Sequence, residues 1–458
     1  MIVAPVRARF AFAGKRLDAK YHCSPGVQAA EHLVLLKAAG VITRTVAGPG
    51  GLGRVAATSR TKRVYAGPGE ESVPYLRPYD VFDYLPQTAD LLSKSGSPNV
   101  EQLMPEPGCI LQTCSGRNLG PLTFADSYLA RFAISDDMLR LQIDDEQDRL
   151  YAFTFLSTPT GQALLTRNKS GGVIDHLSGT DLGAVEVPFL APEQVASIAK
   201  QMGDAVRLRD NARVELSETI SDYESTLPNP ERDAPLRDGW TVRASAITGR
   251  LDAAFRDPLV QQVRRQMLAL GGVRCGDVAR TFIPGRYTRY YVAPEHGRPI
   301  VSGRQLLQAK PVNLRYIASR SFDYADYELH ENMLAFGAEG RAEDRIAMPT
   351  MIGKDRAGWL ANNHVMRVIP RDGVQPGWLF LAFAAWQTQV QVKAYSCGSV
   401  VDAVYPVDLN EVVLPPIDEE RGNRALNAWC DFAEANALEA EAVSRLELAL
   451  SELSPRTA

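Results

Sequence analysis

Two stretches of the chain place apolar residues at alternating spacings of three and four positions, the pattern of helices that pack along one face. They cover residues 191–227 and 418–453, and neither contains a proline beyond Pro192. At a rise of 1.5 Å per residue, each stretch predicts a helix of roughly 36 residues, about 54 Å long. The predicted order is a first unit, a long helix, a second unit and another long helix.

The apolar positions of the two predicted helices match position by position when the helices run in opposite directions. In that alignment Met202 faces Leu446, and the only charged residues of the two apolar seams, Arg209 and Glu439, face each other. A parallel alignment would instead place Arg209 against Asn436. We therefore predict an antiparallel coiled coil with a structural interhelix pair between Arg209 and Glu439. The alternative is that Arg209 extends into solvent and pairs with nothing.

Short apolar runs, separated by glycine and proline, predict β-strands in the units that precede the helices. These runs are "SVPYLRPYDVF", "CILQTC" and "MLRLQI" in the first unit and "RPIVSGRQLL", "MLAF" and "HVMRVI" in the second. Two longer apolar stretches, 151–168 and 377–395, predict one buried helix each. We expect an α+β fold with a first unit at 1–190, a long helix at 191–227, a linker at 228–238, a second unit at 239–417 and a long helix at 418–455.

The second unit repeats the sequence pattern of the first. "SGGVIDHLSGTDLGAVEVPFL" begins at Ser170, and "CGSVVDAVYPVDLNEVVLPPI" begins at Cys397, which gives a constant offset of 227 without a gap. "RLDAKYH" at 16–22 likewise resembles "RLDAAFR" at 250–256. A period this long suits a duplicated domain and not a solenoid. We expect the two units to superpose after an approximate two-fold rotation, whereas chance similarity is the alternative.

The composition is that of a globular protein, and the distribution of charge along the chain shows that the excess of basic residues lies outside the two predicted helices. The chain has 45% hydrophobic and 23% charged residues, and its six cysteines form no CxxC pair. This cysteine usage favours reduced thiols in a cytoplasm over disulfides or a zinc site. The two predicted helices carry net charges of −3 and −6, so the rest of the chain carries +5. We expect neither a signal peptide nor a membrane span.

The repeated pattern resembles a known family, the specificity (S) subunits of type I restriction–modification systems. The stretch "SGGVIDHLSGTDLGAVEVPFLAPEQVASI" is similar to the signature that ends a recognition domain in this family. The second copy keeps the frame but has Glu419, Glu420 and Arg421 in place of the Glu-Gln of that signature. The similarity covers nearly the whole chain.

The resemblance implies two tandem, pseudo-two-fold-related target recognition domains, each binding one half of a bipartite site in double-stranded DNA. The two long helices would form an antiparallel coiled coil that sets the distance between these domains. Methyltransferase (M) subunits, two by expectation, would carry S-adenosylmethionine and methylate adenine, and a restriction (R) subunit could join them. This chain would itself be a non-catalytic, cytoplasmic DNA-binding component of phage defence.

The first unit contains a basic segment that predicts DNA contact. Residues 48–69 carry Arg54, Arg60, Lys62 and Arg63 and no acidic residue, with glycines at both ends. A basic surface loop without compensating acids suits phosphate contacts or insertion into a groove. Neutralising Arg60, Lys62 and Arg63 should therefore weaken DNA binding and flatten its salt dependence. A solvated loop without function is the alternative.

Arginines interleaved with tyrosines make the corresponding prediction for the second unit, in "ARTFIPGRYTRYYVAP". Arginine supplies phosphate contacts, and tyrosine beside it packs on sugars or stacks. Tyrosines buried in a strand are the alternative. The predicted DNA-binding residues of this unit are Arg280, Arg286, Tyr287, Arg289 and Arg304. Arg117 and Arg341, which end the similar runs "ILQTCSGR" and "LAFGAEGR", complete the set, although either could be an ordinary turn residue.

Motifs of catalysis are missing from the sequence. There is no [DNS]PP[YFW] tetrapeptide, no FxGxG cofactor loop and no GxxxxGK[ST] phosphate loop. The histidines form no HExxH or HxxxH arrangement. We therefore expect a chain that is not an enzyme and holds neither metal nor cofactor. Two alternatives stay open: a scaffold or DNA-binding subunit of a related phage-defence complex, and an enzyme with a cryptic methyltransferase or nuclease site.

Overall fold

A computed structural model describes residues 24–58, 60, 62–116, 118–167, 175–230, 239–247, 249–319, 323–340, 345–398 and 401–453. The chain divides into two compact units. The first unit comprises residues 1–210 and 435–458, and the second comprises residues 211–434. Each unit thus contains one part of each long helix. Among the described residues, no helix combines the length and the apolar character needed to cross a membrane.

Both long helices expected from the periodicity are present among the α-helices of the described residues. The α-helices are α1 (Pro25–Ala38), α2 (Glu146–Ser157), α3 (Pro159–Arg167), α4 (Gly179–Gly183), α5 (Pro192–Ser225), α6 (Ala253–Arg256), α7 (Pro258–Ala269), α8 (Cys275–Val278), α9 (Gly303–Leu306), α10 (Pro376–Ala384), α11 (Trp386–Tyr395), α12 (Pro406–Leu409) and α13 (Glu419–Leu453). Short 3₁₀ turns occupy Asp80–Phe82, Val100–Leu103, Leu129–Arg131, Ala244–Ala246, Pro294–His296, Ala325–Tyr327 and Lys354–Arg356.

The described strands are short, and each apolar run predicted as a strand contains one. Part of "RPIVSGRQLL" instead forms helix α9 (Gly303–Leu306), and part of "SVPYLRPYDVF" forms a 3₁₀ turn (Asp80–Phe82). They are β1 (Ile42–Thr45), β2 (Arg54–Ala57), β3 (Ser72–Leu76), β4 (Leu91–Ser93), β5 (Ile110–Thr113), β6 (Leu122–Phe124), β7 (Ala133–Ile134), β8 (Met138–Gln142), β9 (Glu186–Phe189), β10 (Val273–Arg274), β11 (Ala279–Phe282), β12 (Tyr291–Val292), β13 (Gly297–Val301), β14 (Arg315–Ala318), β15 (Leu334–Gly337), β16 (Glu339–Gly340), β17 (Thr350–Met351), β18 (Leu360–Ala361), β19 (Val365–Pro370), β20 (Asp402–Ala403) and β21 (Val413–Leu414). The expected mixed α+β class is confirmed.

The first unit has two sheets and a strand pair, of which the four-stranded sheet and the strand pair contribute to its main apolar core, whereas the three-stranded sheet packs in a separate cluster. The four-stranded sheet has the order β2-β8-β5-β6, the three-stranded sheet has the order β4-β3-β7, and β1 pairs with β9. The core joins strands and helices, including Leu141 of β8, Phe153 of α2 and Met202 of α5. Leu446 of α13 belongs to the same core. The ends of the two long helices are therefore part of the hydrophobic interior of this unit.

The second unit repeats the strand order of the first. Its sheets have the orders β11-β19-β15-β17 and β12-β14-β13-β18, and β10 pairs with β21. The pairing directions also agree, since β13 pairs parallel with β18 as β3 does with β7. Three strands of the second unit, β12, β16 and β20, lack named counterparts in the described part of the first unit. Single bridges lie at the equivalent places there, between Tyr65 and Leu92 and between Ser115 and His176. The same topology therefore occurs twice in one chain.

Equivalent backbone hydrogen bonds occur in the two units, next to the strand pairs β1-β9 and β10-β21. The Val46 amide donates to the Val185 carbonyl over 2.8 Å, and the Cys275 amide donates to the Val412 carbonyl over 2.9 Å. The acceptors Val185 and Val412 are separated by 227 positions, the offset seen in the sequence. Each unit is thus closed by strands that lie far apart in the chain, β1 with β9 and β10 with β21.

The prediction of one helix in each long apolar stretch is wrong, because each stretch forms two helices. In the first unit, α2 ends before Thr158, which is extended (ψ 157°), and α3 begins at Pro159. Proline disfavours helical geometry at the residue before it. In the second unit the break falls at Ala385 (ψ 135°), without a proline. The Trp386 amide that begins α11 there donates to Glu224 of α5 over 2.7 Å, which satisfies an N-terminal donor.

Candidate nucleic-acid interface

In the second unit, Arg289 is held in place by its neighbours. Its guanidinium donates to the Asn363 side-chain oxygen and lies 5.5 Å from the centre of the Tyr287 ring. The Tyr287 ring packs 4.3 Å from that of Tyr327, and burial raises the pKa of Tyr287 to about 12. A basic side chain supported in this way presents its remaining donors with little loss of conformational freedom.

A second arginine converges on the same place. Arg315 of β14 lies 4.9 Å from the ring centre of Tyr291, which is 48% exposed on β12. Burial acts to raise the pKa of Tyr291, but hydrogen bonds from Arg289 and Arg315 outweigh it and lower that pKa below its usual value. Both guanidinium groups thus lie close to the Tyr291 side chain.

These side chains line an open cavity of about 310 Å³. Polar and charged groups predominate in its wall, and none of the described residues in the wall is a carboxylate. The lining residues are Arg289, Tyr291, Ile300, Val301, Ser302, Gln305, Asn313, Arg315 and Asn362. Two cations, with no acid among the described lining residues, make this cavity suitable for an anionic ligand.

The first unit has a similar arrangement around Arg63. The Arg63 guanidinium donates to the Tyr75 hydroxyl over 2.6 Å and lies 5.6 Å from the centre of that ring. It also lies 3.6 Å from a carboxylate oxygen of Asp136, whose side chain is 6% exposed. Arg63 keeps 37% of its side chain exposed. It is therefore anchored at the surface but partly neutralised.

Strand pairing shows that the two arrangements are equivalent. Tyr65 bridges to Leu92 of β4 in the first unit, and Tyr291 pairs with Ile317 of β14 in the second, so the two tyrosines occupy the same place beside β4 and β14. Arg63 and Arg289 each precede that tyrosine by two positions. In the first unit β7 pairs parallel with β3, and Asp136 lies two positions after the end of β7. In the second unit β18 pairs parallel with β13, and Asn363 lies two positions after the end of β18.

A short signal in the sequence could have identified this pair of sites. Arg63-Val-Tyr-Ala-Gly-Pro68 and Arg289-Tyr-Tyr-Val-Ala-Pro294 share the pattern R-x-Y-x-x-P at an offset of 226. Arg63 and Arg289 are among the residues predicted from the sequence. Asp136, Asn363 and Arg315 are not, since these join the site only through strand pairing.

The other predicted residues are distributed over the two units. Arg60 and Lys62 are exposed. Arg54 is exposed but begins strand β2 and donates to Gln142 over 2.7 Å, so it does not lie on the free loop that the sequence suggested.

In the second unit, Arg280 is exposed on β11 and lies 5.0 Å from the Phe282 ring centre. Arg286 is exposed, and Arg304 is half-buried on α9. None of the three lines the cavity. Arg117 and Arg341 lie outside the described residues.

The predicted interhelix pair lies inside the first unit. A guanidinium nitrogen of Arg209 is 2.7 Å from a carboxylate oxygen of Glu439, and their side chains are 7% and 6% exposed. Arg209 also donates to the Asn436 side-chain oxygen over 3.0 Å, and Asn436 in turn donates to the Tyr84 hydroxyl. This buried ion pair is thus joined to a polar network that reaches the globular part of the unit.

The described residues contain no group of three or more His, Cys, Asp or Glu side chains that could hold a metal ion. Comparisons with protein-family models and with curated proteins found no match.

Three solved structures are similar to the chain. An S subunit of a type I restriction-modification system from M. genitalium has 12% sequence identity and a TM-score of 0.32, over 91% of this chain and 97% of that one. The HsdS subunit from Thermoanaerobacter tengcongensis has 15% identity and a TM-score of 0.26, over 90% and 99%. A third structure, whose description concerns the complex assembly and conformational transition of the type I R-M system, has 15% identity and a TM-score of 0.28. The match covers 87% of this chain and 98% of that one.

Proposed function

We propose that this chain is the specificity subunit of a type I restriction–modification complex, and that each of its two units binds one half of a bipartite DNA target. One observation carries the proposal: the same strand order occurs twice, and each copy presents an anchored arginine and a tyrosine at the same place. Duplicated units with equivalent basic sites suit a ligand that itself offers two similar sites along one axis, as a DNA duplex does.

The basic side chains around these sites support a nucleic-acid ligand. Arg60, Lys62, Arg280 and Arg286 are exposed near the paired arginines in sequence. Lysine and arginine side chains that neutralise phosphates supply most of the non-specific affinity of proteins for DNA. Specificity would come from side chains of the same surface that reach base edges in the grooves.

The long helices belong to this proposal as an antiparallel coiled coil joining two tandem, pseudo-two-fold-related recognition domains. Within the first unit, Gln201 donates to Glu441, and Ser197 accepts from Arg445, so residues earlier in α5 meet residues later in α13. Within the second unit, Arg421 pairs with Asp222 in the same sense.

The proposed complex supplies the chemistry that this chain lacks. Partner methyltransferase subunits, two in number, would bind S-adenosylmethionine and methylate adenine in the target, in the cytoplasm. A restriction subunit would cut unmethylated DNA. This chain would choose the site and take no part in bond making or breaking.

The proposal is tested by selecting DNA from a random library with the assembled complex and by sequencing adenine methylation in cells with and without this chain. We expect a bipartite motif in the selection and methylation of the same motif only in cells that contain the chain. Binding without sequence preference, or modification of DNA by this chain alone, would contradict the proposal.

A further inference from the structure

The two equivalent arginine sites differ by one charge. The position beside the arginine is an aspartate in the first unit, Asp136, and an asparagine in the second, Asn363. These two side chains have nearly the same shape, and both are largely shielded from solvent. The carboxylate offsets the charge of Arg63, whereas the amide leaves the charge of Arg289 intact. The second unit therefore has the more positive site.

The concave form of the second site restricts which part of a DNA duplex it can receive. Base edges lie at the floor of the grooves and are reached by protruding side chains. Phosphate groups project from the duplex and fit a concavity lined by cations. None of the described residues that line the cavity beside Arg289 and Arg315 is a carboxylate. Its geometry and charge suit a phosphodiester and not a base edge.

We propose that the cavity formed by Arg289, Tyr291 and Arg315 binds a backbone phosphate of the target DNA, and that the residue at the Asp136/Asn363 position sets how tightly each unit holds the backbone. The second unit is the strong anchor, and the first unit is the weak one. This inference rests on the proposed function, because it assigns a phosphate contact to the DNA-binding surface.

Reciprocal isosteric exchanges test the inference in the assembled complex. Asn363→Asp places a carboxylate beside Arg289, and Asp136→Asn removes one beside Arg63, with almost no change of volume. The affinity for the selected target is measured over a range of salt concentrations. Each phosphate contact contributes about 0.9 to the slope of log K against log salt. We expect Asn363→Asp to lower the magnitude of the slope by up to about 0.9 and Asp136→Asn to raise it by a similar amount.

Arg315→Gln provides a second variant that does not depend on a buried position, because Arg315 is exposed. It should also lower the slope by about 0.9. In a companion experiment, an uncharged methylphosphonate replaces each phosphate of the target in turn. At the phosphate that the cavity binds, this replacement should weaken binding by the wild-type complex more than binding by Arg315→Gln, because that variant holds the phosphate with Arg289 alone.

Two control variants on α7 make the same charge changes away from the cavity. Gln262→Glu adds one negative charge and Arg265→Gln removes one positive charge, both at exposed positions. We expect both to leave the slope within about 0.2 of wild type, since exposed charges more than about 10 Å from the ligand are largely screened. Thermal unfolding of every variant establishes that it is folded.

The outcomes separate this inference from the proposed function. If the wild-type complex prefers its target but Asn363→Asp and Arg315→Gln leave the slope unchanged, the phosphate contact is overturned and the specificity function stands. A change of sequence preference in Arg315→Gln without a change of slope also overturns it, in favour of base recognition. If the wild-type complex shows no target preference, the proposed function itself fails.

Discussion

Arg367 is an arginine in the interior of the second unit whose two terminal guanidinium nitrogens donate to backbone carbonyls. Its guanidinium donates to the carbonyl oxygens of Asn362, Val365, Tyr327 and Ala361, and the residue is 0% exposed. Burial lowers the pKa of Arg367 to about 10, so the group is still charged at neutral pH. Its hydrogen bonds thus connect strands β18 and β19 with the 3₁₀ turn that contains Tyr327.

Replacing Arg367 by methionine should destabilise the second unit by at least about 3 kcal/mol, because several buried carbonyls would be left without their donor. Urea unfolding of the full chain measures this. Arg371→Met is the matched control, since Arg371 is more exposed and donates to the single carbonyl of Gly276; its cost should stay within about 1 kcal/mol. Equal unfolding midpoints for the two variants would contradict the structural role of Arg367.

The thiols differ in reactivity because their burial differs. Burial raises the pKa of Cys109 to about 11 and that of Cys275 to about 12, whereas Cys397 and Cys430 are exposed. At pH 8 only about one in a thousand Cys109 side chains is a thiolate, the reactive form. Alkylation of the native protein, followed by peptide mass spectrometry, should modify Cys397 and Cys430 and leave Cys109 and Cys275 free until the chain is unfolded. Rapid modification of Cys275 in the native state would show that the interior opens.

The exposed basic residues of the first unit make a separate prediction about DNA. Replacing Arg60, Lys62 and Arg63 together by alanine should weaken binding of the assembled complex and lower the salt slope by about 0.9 for each phosphate that is no longer neutralised. Because Arg63 already interacts with Tyr75 and Asp136, most of the change should come from Arg60 and Lys62. The double variant Arg60→Ala/Lys62→Ala should therefore lower the slope by nearly as much as the triple variant. An unchanged slope in the triple variant would remove this segment from the interface.

At the scale of the elements, the long helices carry a buried polar pair within an apolar seam. Arg209 and Glu439 form an ion pair, and Arg209 also donates to Asn436. Met202 and Leu446 of the same two helices belong to the apolar core of the first unit. A buried ion pair adds little net stability compared with apolar residues, but removal of one partner leaves a buried charge uncompensated. The pair therefore favours one helix register over others.

Glu439→Ala should reduce the free energy of unfolding by about 3 to 5 kcal/mol, because Arg209 would then have no carboxylate partner in a buried site. Replacing both members by apolar residues, Arg209→Met with Glu439→Leu, should recover most of that stability. The control is Asp204→Ala, which breaks surface pairs with Lys200 and Arg207 and should cost no more than about 1 kcal/mol. A double variant no more stable than Glu439→Ala would show that the polar network, and not the ion pair alone, holds the helices.

At the scale of the whole molecule, the duplicated topology predicts that one unit can stand in for the other. Each unit is closed by an equivalent strand pair, and the amides of Val46 and Cys275 make equivalent hydrogen bonds just inside it. A chain in which residues 46–185 replace residues 275–412 therefore has junctions of matching backbone geometry. With two copies of the first unit, the assembled complex should select a target whose two half-sites have the same base sequence. Selection of the unchanged wild-type motif would contradict the assignment of one half-site to each unit.

Much of the architecture could be predicted from the sequence because its signals are local or repeated. The periodicity of residues 191–227 and 418–453 predicted helices that the structure places at Pro192–Ser225 and Glu419–Leu453. Apolar runs such as "MLRLQI" and "HVMRVI" became the central strands β8 and β19. These features depend on residues within a few positions of one another, which a sequence displays directly.

The sites depended on contacts that the local pattern does not contain. Arg63 and Asp136 are separated by 73 positions, and Arg289 and Asn363 by 74, so only the pairing of β3 with β7 and of β13 with β18 brings them together. The break between α10 and α11 was equally hidden, since Glu224 stabilises it from another helix.

The sequence by itself determined the two long helices, the apolar runs that form strands and a repeated sequence pattern, because helix periodicity, strand runs and repeats are properties of neighbouring or regularly spaced residues. Only the tertiary structure decided which arginines are neutralised and which face an open cavity. The electrostatic character of a site depends on distances of a few ångströms between side chains brought together by strand pairing. For that reason the charge difference between Asp136 and Asn363 acquires its meaning only in the folded protein.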